Sequence, residues 1–369
     1  MSRNILAPPL VYMSNNRRYR VNLVHEDFND QRQASQAAMK GNLHNAKQAY
    51  NERDLYGEEH NDEIDDDLSD IECQNSIFKL KIHVASSFYG GLIGFKGATK
   101  RRLETETSTE IMIPPRVADN GNKSRETNVI IKGKTRNAVA TAKRKIDVLV
   151  ASLRGRMNAT HFFGVALNYD EILENFQVFK ELILSAQLPS IDESLFQLDS
   201  SLHATLGACV LMDDVERNKA ATILQSCREF LANVKTPFKV HVRGLEIMND
   251  DPSAVRVLYA IVDSPDLQLF SDRCLQRFIE SGFMTARDAQ RERVKLHMTL
   301  MNNRFKEVYS PDTSTKAITK TFDAREILKR WGDFDFGSAL CKEILLCVIG
   351  SSRENKGDFY KISSTLKCE

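Results

Sequence analysis

The sequence predicts an α+β protein with two globular units behind an acidic tail. Residues 1–76 form the tail, 77–155 a small β-α-α-β-β-α domain, and 158–369 a larger, two-lobed α+β domain. Three observations carry this prediction. Short strand-like and helix-like segments alternate around a turn, Gly94-Phe95-Lys96-Gly97. Two near-identical pentads, Leu202-His203-Ala204-Thr205-Leu206 and Leu296-His297-Met298-Thr299-Leu300, stand 94 residues apart. The stretch from Glu52 to Glu72 holds eleven acidic residues and a single arginine, Arg53.

That acidic stretch sets where folding starts. Like charges repel and there is little apolar surface to bury, so 1–76 reads as unstructured. Within it lies a basic-aromatic island, Arg17-Arg18-Tyr19-Arg20-Val21-Asn22, with the composition of a docking motif. Order is expected from Ile77. Phe78 to Val84 alternates apolar and polar residues, as a half-buried strand does. The Gly94 to Gly97 turn follows, then a helical run, Ala98 to Thr107. A strand, Thr109 to Ile113, stops at Pro114-Pro115. A polar loop leads to a strand over 128–133. Arg136 to Leu153 has helical period, with Val139, Ala142, Ile146, Leu149 and Val150 on one face. Arg154-Gly155-Arg156-Met157 reads as a short hinge.

The second unit opens with a strand, Thr160 to Leu167. A helix over Asp170 to Ala186 points Leu173, Phe176, Phe179 and Leu182 inward. The first pentad sits in a strand reaching Leu211. Asp213 to Val234 reads as a long helix, capped by Asp213 or Asp214. Strands at 238–242 and 255–262 are joined through Met248-Asn249-Asp250-Asp251-Pro252. That segment has too few spaced oxygen ligands for a calcium loop and reads as a turn. A helix over Leu267 to Ser281 precedes the strand of the second pentad. A helix over Ala324 to Arg330 and two strands, Ile344 to Val348 and Phe359 to Ser363, complete two similar halves, each contributing one pentad.

Composition bounds the function classes. Hydrophobic residues make up 42% of the 369 positions, enough for more than one core. The net charge of +1 points to no partner, so the uneven distribution of charge carries the information. The seven cysteines include no C-x-x-C and no zinc spacing, which fits reduced thiols. No apolar run approaches a membrane span, and the N-terminus has no secretory apolar core.

The pentads carry the chemistry. On a strand, residues i and i+2 share a face. His203 and Thr205 therefore point one way, as do His297 and Thr299, with their apolar neighbours behind them. One such motif is ordinary strand sequence with a buried histidine. Two of them favour a paired site. Single histidines at 83, 161 and 241 read as structural or surface residues, and Trp331 as core.

The small domain resembles the KH family through Leu92-Ile93 followed by Gly94-Phe95-Lys96-Gly97 and through its element order, which is the type I arrangement. The resemblance implies a single-stranded RNA or DNA grip. Two glycines let a nucleic-acid backbone approach, while Lys96 and the amides at the next helix face phosphate. Lys100 and Arg101 extend the positive surface. Lys100 departs from the family, which has an apolar residue there, so the helix must lean on Leu103.

The larger domain resembles the 2H phosphoesterase superfamily through its two His-x-Thr motifs. By that resemblance His203 and His297 match the catalytic histidines, and Thr205 and Thr299 their hydroxyl partners. Two histidines can act as base and acid on a 2′,3′-cyclic or 2′–5′ phosphodiester, with the hydroxyls on the phosphate oxygens. Neither a metal nor another cofactor is implied. Catalysis and simple retention of a phosphate or strand end both remain open at this level. The whole combination is similar to a family of transcriptional cointegrator subunits. That resemblance implies a nuclear protein acting in coactivation and alkylation-damage repair. It also implies docking of a large helicase through Arg18, Tyr19, Arg20 and Asn22.

Overall fold

The computed structural model describes residues 70–115, 128–305, 321–351 and 358–368, together with the backbone of two short strands, β1 (Leu10–Tyr12) and β2 (Arg18–Arg20). Part of the basic-aromatic island is thus extended backbone. Asn22, and the acidic run as far as residue 69, lie outside the described residues.

Order in the small domain starts earlier than Ile77. A strand, β3 (Glu72–Gln74), pairs with β4 (Ile77–Ile82) through Asn75-Ser76. Both turn residues have positive φ, 51° and 62°, which a two-residue hairpin with native strand twist requires. The tail boundary moves accordingly, because the acidic composition hid a short strand that the turn chemistry supports. The chain continues through α1 (Tyr89–Ile93), α2 (Ala98–Thr107), β5 (Thr109–Met112), β6 (Val129–Gly133) and α3 (Arg136–Arg154). The antiparallel sheet runs β3-β4-β6-β5. Its core gathers Leu80, Leu92, Leu103, Ile111, Ile131, Val139 and Ile146, so α2 does lean on Leu103. Thr135 caps α3 by accepting from the Ala138 amide.

The large domain comprises β7 (His161–Ala166), α4 (Asp170–Ser185), β8 (His203–Cys209), α5 (Asp214–Ser226), β9 (Phe238–Ile247), β10 (Val257–Asp263), α6 (Pro265–Glu280), β11 (His297–Asn302), α7 (Arg325–Trp331), β12 (Asp335–Cys341), β13 (Glu343–Val348) and β14 (Ile362–Lys367). Its single antiparallel sheet runs β12-β9-β10-β11-β8-β7-β13-β14. Four strands flank each side of the seam between β11 and β8, so each half offers one pentad at its inner edge. The two pentad strands meet at one register pair, Ala204 with Met298. That register places His203 across from Thr299, and Thr205 across from His297.

Several sequence expectations shift. The buried stripe of α4 is Ile172, Phe176, Phe179 and Ile183, and Leu182 is 40% exposed. The long helix from 213 becomes 3-10 at Cys227–Asn233. The last strand lies at Ile362–Lys367 rather than starting at Phe359. β12 is a strand that the sequence pattern hid, since a bulge between Asp335 and Gly337 breaks its alternation. Its outer edge is covered by α4 and the residue before it. Glu171 accepts from the Ser338 amide, Asn175 donates to Phe336 O, and Tyr169 donates to Leu340 O. An exposed strand edge is thereby closed against pairing with another chain.

The expected hinge at Arg154-Gly155-Arg156-Met157 is instead an anchored junction. Arg154 and Glu216 are each 4% exposed and form a forked ion pair at 2.6 and 3.0 Å. Arg154 also donates to Val210 O, and its guanidinium packs 4.8 Å from the Phe88 ring and 5.1 Å from that of Phe283. His83 adds a 2.9 Å contact to Asp213, the cap of α5. Removing one partner of such a buried pair costs about 3–5 kcal/mol, because the other charge is left uncompensated.

Candidate functional site

Both histidines are half-buried on the face opposite the core, with Ala204, Leu206, Met298 and Leu300 behind them. Each is held the same way. His203 Nδ1 lies 2.7 Å from Ser201 O, and His297 Nδ1 lies 2.7 Å from Lys295 O, in both cases two residues back. A carbonyl can only accept, so each Nδ1 carries the proton and each neutral ring keeps a free lone pair at Nε2. In a regular ladder the two histidine Cβ atoms sit on a diagonal, roughly 7–8 Å apart, which leaves room for a phosphoryl group between the rings. Among the described residues neither the Thr205 nor the Thr299 hydroxyl has a partner, so both are open to an incoming oxygen.

The surroundings of the two rings differ. His203 packs against Phe162 at 4.6 Å and edge-on to Tyr360 at 5.1 Å. Burial among these rings pushes its pKa down to about 4; the Ser201 carbonyl opposes this, and His297 adds to the depression. His297 stands 5.1 Å from the Tyr259 ring, whose hydroxyl donates to Glu246 at 2.5 Å. Its pKa is also lowered, first by burial; the Lys295 carbonyl opposes this, and the charges of Lys295, Arg291 and Arg287 reinforce it. These neighbours escaped the sequence reading. Phe162 and Tyr360 come from β7 and from the residues before β14, so nothing local marks them. Arg287, Arg291, Arg293 and Lys295 did leave a signal, a basic run leading into the second pentad.

The other predicted cluster is separate from the cleft. Gly94 has φ of 71°, and a Cβ there would collide with the Thr99 hydroxyl. Lys96 and Gly97 also have positive φ, 48° and 78°. Phe95 is 82% exposed, with the Lys96 ammonium 5.3 Å from its ring centre. The loop therefore presents an aromatic ring and a cation to solvent. Lys100 and Arg101 both make contacts within the domain. Lys100 pairs with Glu104 at 3.3 Å. Arg101 turns back to donate to Lys96 O at 2.7 Å and Gly97 O at 3.3 Å, bracing the loop. Among the single histidines, His161 is buried, 2.8 Å from the Thr160 hydroxyl, and its pKa is pushed down to about 4 by burial and by Arg217. His241 contacts the Ser338 hydroxyl at 3.0 Å. No helix among the described residues is long and apolar enough to cross a membrane.

Comparison with known proteins agrees with this geometry. Residues 159–368 match the family described as AKAP7 2'5' RNA ligase-like domain, and residues 79–147 match the KH domain family. A curated relative, activating signal cointegrator 1 complex subunit 1 of Mus musculus, is 36% identical over 282 residues, which cover 71% of this chain and 76% of the relative.

Proposed function

The chain belongs to the AKAP7 2'5' RNA ligase-like family and joins that domain to a KH domain, and on this premise we propose that it grips single-stranded nucleic acid and acts on a phosphodiester in the histidine cleft. The observation that carries this is the matched anchoring of His203 and His297, which leaves two Nε2 atoms free on one face. The bond to be opened is a 2′,3′-cyclic or 2′–5′ phosphodiester. His203, the ring packed at a tilt against Phe162, stays neutral and takes the proton of the attacking water. His297 protonates the departing ribose oxygen after the bound phosphate anion has raised its proton affinity. Thr205 and Thr299 hold the non-bridging oxygens.

The test uses oligonucleotides ending in 2′,3′-cyclic phosphate. Turnover should vanish in His203→Ala with His297→Ala; a rate unchanged in that double variant would refute the proposal. A p-nitrophenyl phosphodiester needs no proton on its leaving group, so His297→Ala should retain activity on it that His203→Ala lacks. A second reading, a cleft that binds a strand end without turnover, is favoured by one observation. Both rings have depressed proton affinity, which disfavours an imidazolium acid in the free cleft.

On the same reading the chain is a nuclear subunit of a cointegrator-type complex in transcription coactivation and alkylation-damage repair. It docks a large helicase through Arg18, Tyr19, Arg20 and Asn22. The name of the mouse relative supports membership of a complex.

A further inference from the structure

The segment from Phe283 to Arg291, between α6 and β11, is stitched to the domain junction at one end. Phe283 O accepts from the Val210 amide at 2.8 Å, and the Phe283 ring packs on Arg154. Gly155 lies against Ala286: a Cβ on the glycine would come within 3.2 Å of the alanine methyl. The other end reaches the cleft, where the charges of Arg291 and Arg287 act on His297. The segment is pinned from within. The Thr285 hydroxyl donates to Asp288 at 2.8 Å, and buried Asp288 holds Arg291 at 3.0 Å. The residues that follow the Gly155–Ala286 contact on each chain segment are both arginines, Arg156 and Arg287, and both are exposed. Among the described residues neither has an ion-pair partner. Asp288 is neutralised by Arg291, which leaves Glu292 as the exposed carboxylate of the stretch.

We propose that Arg156 and Arg287 form a contact for the phosphodiester backbone, carrying one single strand across the junction between the KH loop and the histidine cleft. The proposal rests on the phosphodiester reading above. An exposed guanidinium without a protein carboxylate is a strong partner for phosphate oxygens. This one lies between two sites that both suit phosphate, which favours a nucleic-acid strand over an acidic protein segment.

The test is fluorescence anisotropy of the full chain with single-stranded RNA of about six and about twenty nucleotides, the shorter one just exceeding the roughly four that a KH loop clamps. Arg156→Glu with Arg287→Glu should weaken the longer strand about tenfold or more and the shorter less than about twofold. Its salt slope on the longer strand should fall by roughly 1.4, since each single-strand phosphate contact contributes about 0.7. Both side chains are exposed, so the melting temperature should not move. Equal losses on both lengths, or no loss on the longer strand, overturn the proposal. Phe95→Asp with Lys96→Asp is measured beside it. Unchanged binding of the short strand in that variant would refute the KH grip, a result separate from the arginine result, which still decides the bridge.

Discussion

At the scale of the residue, the two cleft histidines share an anchoring bond and differ in their walls. The His-x-Thr spacing fixed which face the rings occupy. It could not show the Ser201 and Lys295 carbonyls that set the tautomer, because a backbone acceptor leaves no trace in side-chain pattern. Burial of imidazole has a consequence for stability. His161 and His203 ionise near pH 4 in the folded chain and near 6.5 when unfolded. Between those values the unfolded chain binds more protons, so stability rises with pH and falls on acidification. For His161, the buried one of the two, such a shift corresponds to on the order of 2 kcal/mol of destabilisation at pH 4.5. Thermal melting should therefore drop as pH is lowered from 7 to 4.5, and His161→Asn should flatten that drop. A wild-type melting temperature constant over this range would show that the rings are charged in the folded state.

At the scale of the element, the Gly94 to Gly97 loop shows how two glycines in one motif do different work. Both need positive φ, but only Gly94 has no room for a side chain, because Thr99 fills the space. Gly97 faces open space, where the nearest atom is the Arg101 Nε at 3.9 Å. Gly94→Ala should destabilise the domain by about 1–3 kcal/mol through backbone strain and a clash with Thr99, and should reduce nucleic-acid binding severely. Gly97→Ala should cost less in stability. Circular dichroism melts of the two variants compare them directly, and equal losses would contradict the geometry. The loop, the strand-helix order and the duplicated halves were legible because each depends on residues close in sequence. β3 and β12 were not. The first lies in an acidic run where charge outweighs pattern, and the second carries a bulge that shifts its inward positions by one.

At the scale of the whole molecule, the small and large domains are joined by a buried arginine rather than a flexible link. Arg154 reads as an ordinary charged residue at a helix end, and only the fold shows Glu216, Val210, Phe88 and Phe283 converging on it. That junction sets the orientation of the exposed Phe95-Lys96 tip relative to the cleft. Under the proposed function, that junction presents a strand held at the tip to the histidines. The most direct test is the rate of 2′,3′-cyclic phosphate opening as RNA is lengthened from a dinucleotide to about twenty nucleotides. The rate at limiting substrate should rise with length and level off once the strand spans loop and cleft. A rate that is the same for the dinucleotide and the longest RNA would contradict the account.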